Sequence, residues 1–179
     1  MNSINKNQPE QNREDLRGEK AIEKIREIVN QAPNCFFCTA YATGESNGAR
    51  PMNVRKVDHN GHLWFLSAND SHKADELSID PSVRLFFQGS THSDFLELNG
   101  RVTVHTNREK IEDLWEPVLQ TWFTEGIDDP RILVIQFVPT DGYYWDTKHG
   151  GMVAGIKMFL GAILKRTLDD SIEGKISVA

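Results

Sequence analysis

Adjacent pairs of bulky apolar residues recur along short segments of the chain: Phe36–Phe37, Trp64–Phe65, Phe86–Phe87 and Leu133–Val134. Neighbouring residues in a strand point to opposite faces, so each pair asks for burial on both sides of a sheet. One side must fill an interior, and the other must be covered by helices or by a second chain. The strand signals run over 34–42, 49–57, 62–67, 82–89, 94–106, 131–138 and 142–146. Asp58-His59-Asn60-Gly61 reads as a tight hairpin turn, and Gly100 as a bulge or bend. Short strands joined by hairpins and short helical connections predict a mainly β fold with flanking helices (α+β), built as an antiparallel barrel rather than βαβ units.

Helical signals punctuate this series. Ile22, Ile25, Ile28 and Val29 recur at helical spacing within 16–29, and Pro33 closes that segment. A second helix is expected from Asp70 to Ile79, capped by Asp70 or Ser71 and ended by Asp80-Pro81. Thr106-Asn107-Arg108-Glu109 has the form of a capping box. Pro117 interrupts the helix that follows and opens a short one through Trp122. A last amphipathic helix is expected from Met152 to Arg166, followed by a short tail. The polar residues 1–14 are expected to be a disordered tail, and 15–179 a single domain with its C-terminal helix. The N-terminus lacks the apolar core of a signal or anchor, and Met152–Leu164 is too short to span a bilayer. These features predict a cytoplasmic protein with no membrane partner. The net charge of -6 argues against a general nucleic-acid surface.

Chemistry concentrates at Ser67-Ala68-Asn69-Asp70-Ser71-His72-Lys73, where the third strand hands over to its helix. Amides at a helix start attract anions, and Ser71 and Lys73 add a hydroxyl donor and a positive charge. Arg50 can reach the same point from the second strand. Two readings fit: a phosphate monoester site, or a plain helix cap beside a solvated lysine. The second strand, Ala49-Arg50-Pro51-Met52-Asn53, carries a proline, which belongs at an edge or a bulge. An opened edge there leaves main-chain groups for a planar heterocycle, and an ordinary edge strand also fits. Trp64 and Trp115 read as packing residues, while Trp145 suits the lining of a ring pocket. Cys35 and Cys38 read as small strand hydrophobes rather than ligands or a redox pair, and no metal is expected. No nucleophile-elbow, Walker or Rossmann fingerprint is present.

The order of these motifs resembles the FMN-binding split barrels related to pyridoxamine 5'-phosphate oxidase, and within them the general stress protein branch. The likeness rests on Ala49-Arg50-Pro51-Met52, Leu63-Trp64-Phe65-Leu66-Ser67 and Ser71-His72-Lys73-Ala74-Asp75-Glu76-Leu77. It continues through Leu98-Asn99-Gly100-Arg101-Val102, Thr121-Trp122-Phe123-Thr124-Glu125-Gly126, Tyr144-Trp145-Asp146 and Glu173-Gly174-Lys175-Ile176.

The resemblance implies a Greek-key split barrel that binds FMN at a homodimer interface. It places Arg50, Pro51, Met52 and Asn53 against the flavin, Leu66 and Ser67 near the ring, and Arg50, Ser71 and Lys73 on the phosphate, with His72 assisting. It brings Gln88, Trp122 and Trp145 over the ring from the partner subunit. A flavin-dependent oxidoreductase of unknown small-molecule substrate, with NAD(P)H as electron donor, follows from it. A non-catalytic flavin reservoir or sensor, and a haem or deazaflavin binder on the same barrel, are the alternatives. One departure matters. The true oxidases grip their pyridoxal substrate with an Arg-x-His segment after the C-terminal tryptophan, whereas here Trp145 is followed by Asp146-Thr147-Lys148-His149. The arginine is missing, which argues against pyridoxamine phosphate oxidation.

Overall fold

The computed structural model describes residues 12–43, 48–90, 94–147 and 171–178. Within them the chain runs through β1 (Leu16–Arg17), α1 (Glu19–Gln31), β2 (Asn34–Thr39), β3 (Ala49–Asn53), β4 (Lys56–Val57) and β5 (Leu63–Ala68). It continues through α2 (His72–Ile79), β6 (Ser82–Gln88), β7 (Phe95–His105), α3 (Arg108–Leu114), β8 (Ile132–Thr147) and β9 (Ser171–Ser177). Two 3-10 turns, Pro117–Thr121 and Gly126–Asp128, link α3 to β8.

The sheet order is β1-β9-β8-β7-β6-β2-β3, and β8 also pairs with β5, which pairs with β4. Every pairing of named strands is antiparallel except that of β1 with β9. Residues 49–57 are the key to the topology. Their first half pairs with β2 and their second half with β5, so the path curls back on itself. It does not zip shut. The outer edge of β3 has no ladder partner among the described residues, and Phe65–Ala68 of β5 pair only with β8. That gap is the split of the barrel, and α2 starts just after β5 ends.

β8 spans 16 residues because it serves two neighbours in turn, β5 with its first half and β9 with its second. The register slips between Asn99 and Gly100, opposite Pro139. A bulge is where a ladder tolerates a residue without an N–H, and at Gly100 a Cβ would sit 2.3 Å from the Val138 carbonyl oxygen.

The paired bulky residues divide as their periodicity demands. Phe37, Phe65, Phe87 and Ile135 point inward into one core with Leu85, Leu98 and Phe137, and Phe37 meets Phe65 edge-to-face at 5.5 Å. α1 adds Ala21, Ile25, Ile28 and Val29 to that core. On the outer side, Trp64 and Val134 form a second cluster with Ile111, Leu114, Leu119 and Phe123. Phe36 and Phe86 have no such cover: they remain 59% and 38% exposed.

Several boundaries differ from expectation. Leu16–Arg17 is a strand beside β9, and the helix starts at Glu19. The two strands expected over 131–146 are one, since the bulge absorbs Pro139. The residues read as a tail supply β9 (Ser171–Ser177). Asn107, not a Thr106–Glu109 box, caps α3 by accepting from the Lys110 amide at 3.2 Å. Pro117 opens a 3-10 turn rather than an α-helix. Residues 12–14, counted with the tail, lie along β9: the Glu14 amide donates to the Glu173 carbonyl and the Glu173 amide to the Asn12 carbonyl, both at 3.0 Å. The helix expected over 152–166 lies outside the described residues.

This docking has a direct test. A Cβ on Gly174 would lie 1.7 Å from the Glu14 carbonyl oxygen, which also accepts the Tyr144 hydroxyl at 2.9 Å. Gly174→Ala is expected to destabilise the fold by about 1–3 kcal/mol, as overpacking does, and to lower Tm in thermal denaturation. An unchanged Tm would contradict the docking of residues 12–14 on β9.

Candidate functional site

The split is where polar chemistry gathers. α2 turns Lys73, Glu76 and Leu77 inward, and two of these three are ionisable. Glu76 is fully buried and fully engaged. Its carboxylate accepts both Arg50 guanidinium nitrogens at 2.6 Å, the Thr39 hydroxyl at 2.6 Å, and the Thr43 amide and hydroxyl at 2.7 and 3.0 Å. The Arg50 fork, with further help from Thr39 and Thr43, holds its carboxyl at about 2 despite burial.

Lys73 is treated differently. It is only 6% exposed, and its ammonium reaches the Met52 sulfur at 3.3 Å. A thioether is a weak acceptor, and no carboxylate or carbonyl oxygen among the described residues bonds this ammonium. Burial, and next the nearby Arg50 cation, push Lys73 down to about 8, while Glu76 partly opposes them. With Arg50 matched by Glu76, one cation is left over in a nearly dry place. Buried charges are ordinarily paired, so the residues present fit an anionic group. At the start of α2, Ser71 holds the N-cap position in extended conformation, but its hydroxyl donates to the Ala68 carbonyl at 2.7 Å. No side chain among the described residues caps the first amides of the helix.

β3 sorts the expected site residues by alternation. Arg50 and Met52 face α2. Pro51 instead lines a groove of about 450 Å³ on the other face, with Phe36, Phe86, Gln88, Phe95 and Trp145. At its edge the Asn53 amide donates to Asn34 at 2.9 Å. Leu66 packs on the outer cluster, and Ser67 is buried on the opposite face of β5. His72 is exposed at the start of α2. Trp122 is 64% exposed after the 3-10 turn and lines neither niche nor groove. The structure thus joins Arg50, Met52 and Lys73 on one side, and Pro51, Gln88 and Trp145 on the other.

Trp64 is a packing residue whose indole N–H donates to Asp58 at 3.1 Å, and Trp115 stacks loosely on Phe123 at 6.3 Å. Burial pushes the Cys35 thiol up to about 12, far from the reactive thiolate. Two residues escaped the sequence reading. Glu76 lies three positions after Lys73, hence on the same helix face, a spacing that could have exposed it. Arg55 gave no signal: its largely buried guanidinium donates to Asn53 at 2.8 Å and lies 2.5 Å from the Glu116 carboxylate.

The Lys73 environment carries a stability prediction. Its folded pKa of about 8 lies below the ordinary 10.5, so the unfolded chain holds the proton more tightly. The cost of the buried charge is therefore full below pH 8 and fades as pH rises toward 10.5. Lys73→Met is expected to stabilise the ligand-free protein at pH 7 by about 1–3 kcal/mol, with the gain shrinking by pH 10. Thermal melts at both pH values check this, and a destabilised variant at pH 7 would contradict it.

Comparisons with known proteins place this geometry. The family model described as "Pyridoxamine 5'-phosphate oxidase like" matches residues 20–169. Protein bli-3 of Neurospora crassa is 28% identical over 115 residues, 60% of this chain, and the match spans about half (49%) of that relative's length. A protein of Jannaschia sp. CCS1 described as a general stress protein 26 superposes with a TM-score of 0.74 at 18% identity, over 87% of this chain and 96% of that one. A general stress FMN/FAD binding protein of Xanthomonas citri superposes with a TM-score of 0.59 at 20% identity, over 68% and 85%. At these identities the structural matches establish the split-barrel fold. Together with the family match over most of its length, they show that this chain belongs to the pyridoxamine 5'-phosphate oxidase-like family.

Proposed function

We propose that the chain binds FMN in the split and works as a flavin-dependent oxidoreductase on a small molecule. The observation that carries this reading is Lys73, a buried ammonium whose bonding partner is a thioether. A phosphate would give that cation the oxygen partner it lacks among the described residues, the first amides of α2 would add donors, and Ser71 would join them by turning its hydroxyl from the Ala68 carbonyl. The edge of β3 from Arg50 to Asn53, which has no ladder partner among the described residues, offers main-chain groups to a planar ring, with Leu66 and Ser67 near the end of β5. The flavin, when bound, supplies hydride or single-electron exchange, with reduced nicotinamide as the donor. The family assignment and the flavin-binding neighbour support the cofactor class.

The reading includes a homodimer. Phe36 and Phe86 are register partners, and Trp145 is 41% exposed beside the same groove. A second copy laid on this face would bury them, and would bring the partner's Gln88 and Trp145 toward the flavin. No helix among the described residues is long and apolar enough to cross a membrane.

Parallel titrations with FMN and riboflavin test the site. Lys73→Met is expected to weaken FMN by about 1.5–3 kcal/mol, the worth of a charge-assisted contact, and to leave riboflavin unchanged. Equal loss for both ligands would place the phosphate elsewhere. For the dimer, Phe36→Glu with Phe86→Glu is expected to convert a two-chain species to one chain in sedimentation equilibrium. A wild-type protein that sediments as one chain would remove the dimer from the account.

A further inference from the structure

The phosphate reading leaves Glu76 unexplained, because an anion site gains nothing obvious from a buried carboxylate. Its contacts suggest a reason. The carboxylate ties together β2 through Thr39, the segment after it through Thr43, β3 through Arg50, and its own helix. One edge of the Arg50 guanidinium is committed to it, and Nη1 also reaches the Gly48 carbonyl at 3.2 Å and Thr39 at 3.4 Å. That contact fixes the orientation of the guanidinium beside Lys73. Without Glu76, two cations would share one dry niche, and the lysine, which can give up its proton, would do so.

Resting on the FMN reading, we propose that Glu76 is the positioning residue of the niche: it clamps and balances Arg50 and ties the strands beside it, so that Lys73 presents the niche's net positive charge to the phosphate. Arg50, held by Glu76, sets the charge balance at Lys73. The groups facing Lys73 among the described residues are Arg50 and Met52 from β3 and Glu76 from its own helix, with His72 exposed nearby.

The test is the pH dependence of FMN affinity in the full-length protein between pH 6.5 and 9.5, where the phosphate is largely dianionic. Only protonated Lys73 attracts the phosphate, so wild-type affinity is expected to fall above a break near the free protein's value of about 8. Glu76→Gln removes the anion that favours the ammonium, and the break is expected to move down by about one pH unit. Arg50→Gln removes the repelling cation, and the break is expected to move up. A merely structural role lowers Tm in both variants without moving the breaks in opposite directions. If Glu76→Gln does not fold, Arg50→Gln and the double variant Arg50→Met/Glu76→Met remain, the latter expected to break near the wild-type position.

Breaks that stay together in the variants, while wild type still prefers FMN over riboflavin, overturn the role of Glu76 alone. A wild type that binds the two flavins equally at every pH overturns the phosphate niche and this proposal with it.

Discussion

Strands that carry bulky apolar residues on both faces have to be covered twice, and that demand organises the molecule. The inner cover is the barrel core around Phe37, Phe65, Leu85 and Phe137, none of them measurably exposed. The outer cover comes in pieces. α3 and the 3-10 turn shield Trp64 and Val134, whereas Phe36 and Phe86 are left facing outward. Burying an aromatic side chain contributes roughly 1.5–3 kcal/mol, so a bare aromatic face is a surface with a use. Curling the sheet to cover one side also prevents complete closure, because residues 49–57 must leave β2 to reach β5. The split follows from the same constraint as the core.

The split in turn gives α2 a place to bury the polar side chains of Lys73 and Glu76. Two outcomes appear side by side. Glu76 finds five donors and stays ionised, while Lys73 finds a thioether and is held in readiness to lose its proton. A buried ammonium with a thioether for its partner costs folding energy, and a cost concentrated at one residue marks a site shaped for something other than folding. The pocket that would receive a flavin phosphate is thus defined by an imbalance of one charge.

How much of this the chain reveals before folding depends on the range of the interaction. Hairpins, the Gly100 bulge and the helix start at Ser71 were legible because they are set by neighbours in sequence. The niche was legible as a position, since Lys73 follows the third strand closely, but its electrostatics were not. Pairing of Arg50 with Glu76 spans 26 positions and is imposed by the barrel. β9 was hidden because Ser171–Ser177 alternates too weakly to announce a strand, and Gly174 is explained only by the Glu14 carbonyl lying against it. The continuous β8 was masked by Pro139, which reads as a breaker until the register slip beside it, at Thr140, is seen. Pro51 and Met52 are adjacent, yet pleating sends them to opposite faces, a consequence of period two that a list of site residues conceals.

The central claim is that Lys73 is a buried cation awaiting an anion. NMR titration of the Lys73 side chain, with and without FMN, measures it directly. The account predicts a midpoint near 8 in the free protein, rising by more than one unit when FMN is bound and staying near 8 with riboflavin. An ordinary lysine value in the free protein, or a midpoint indifferent to FMN, would contradict it.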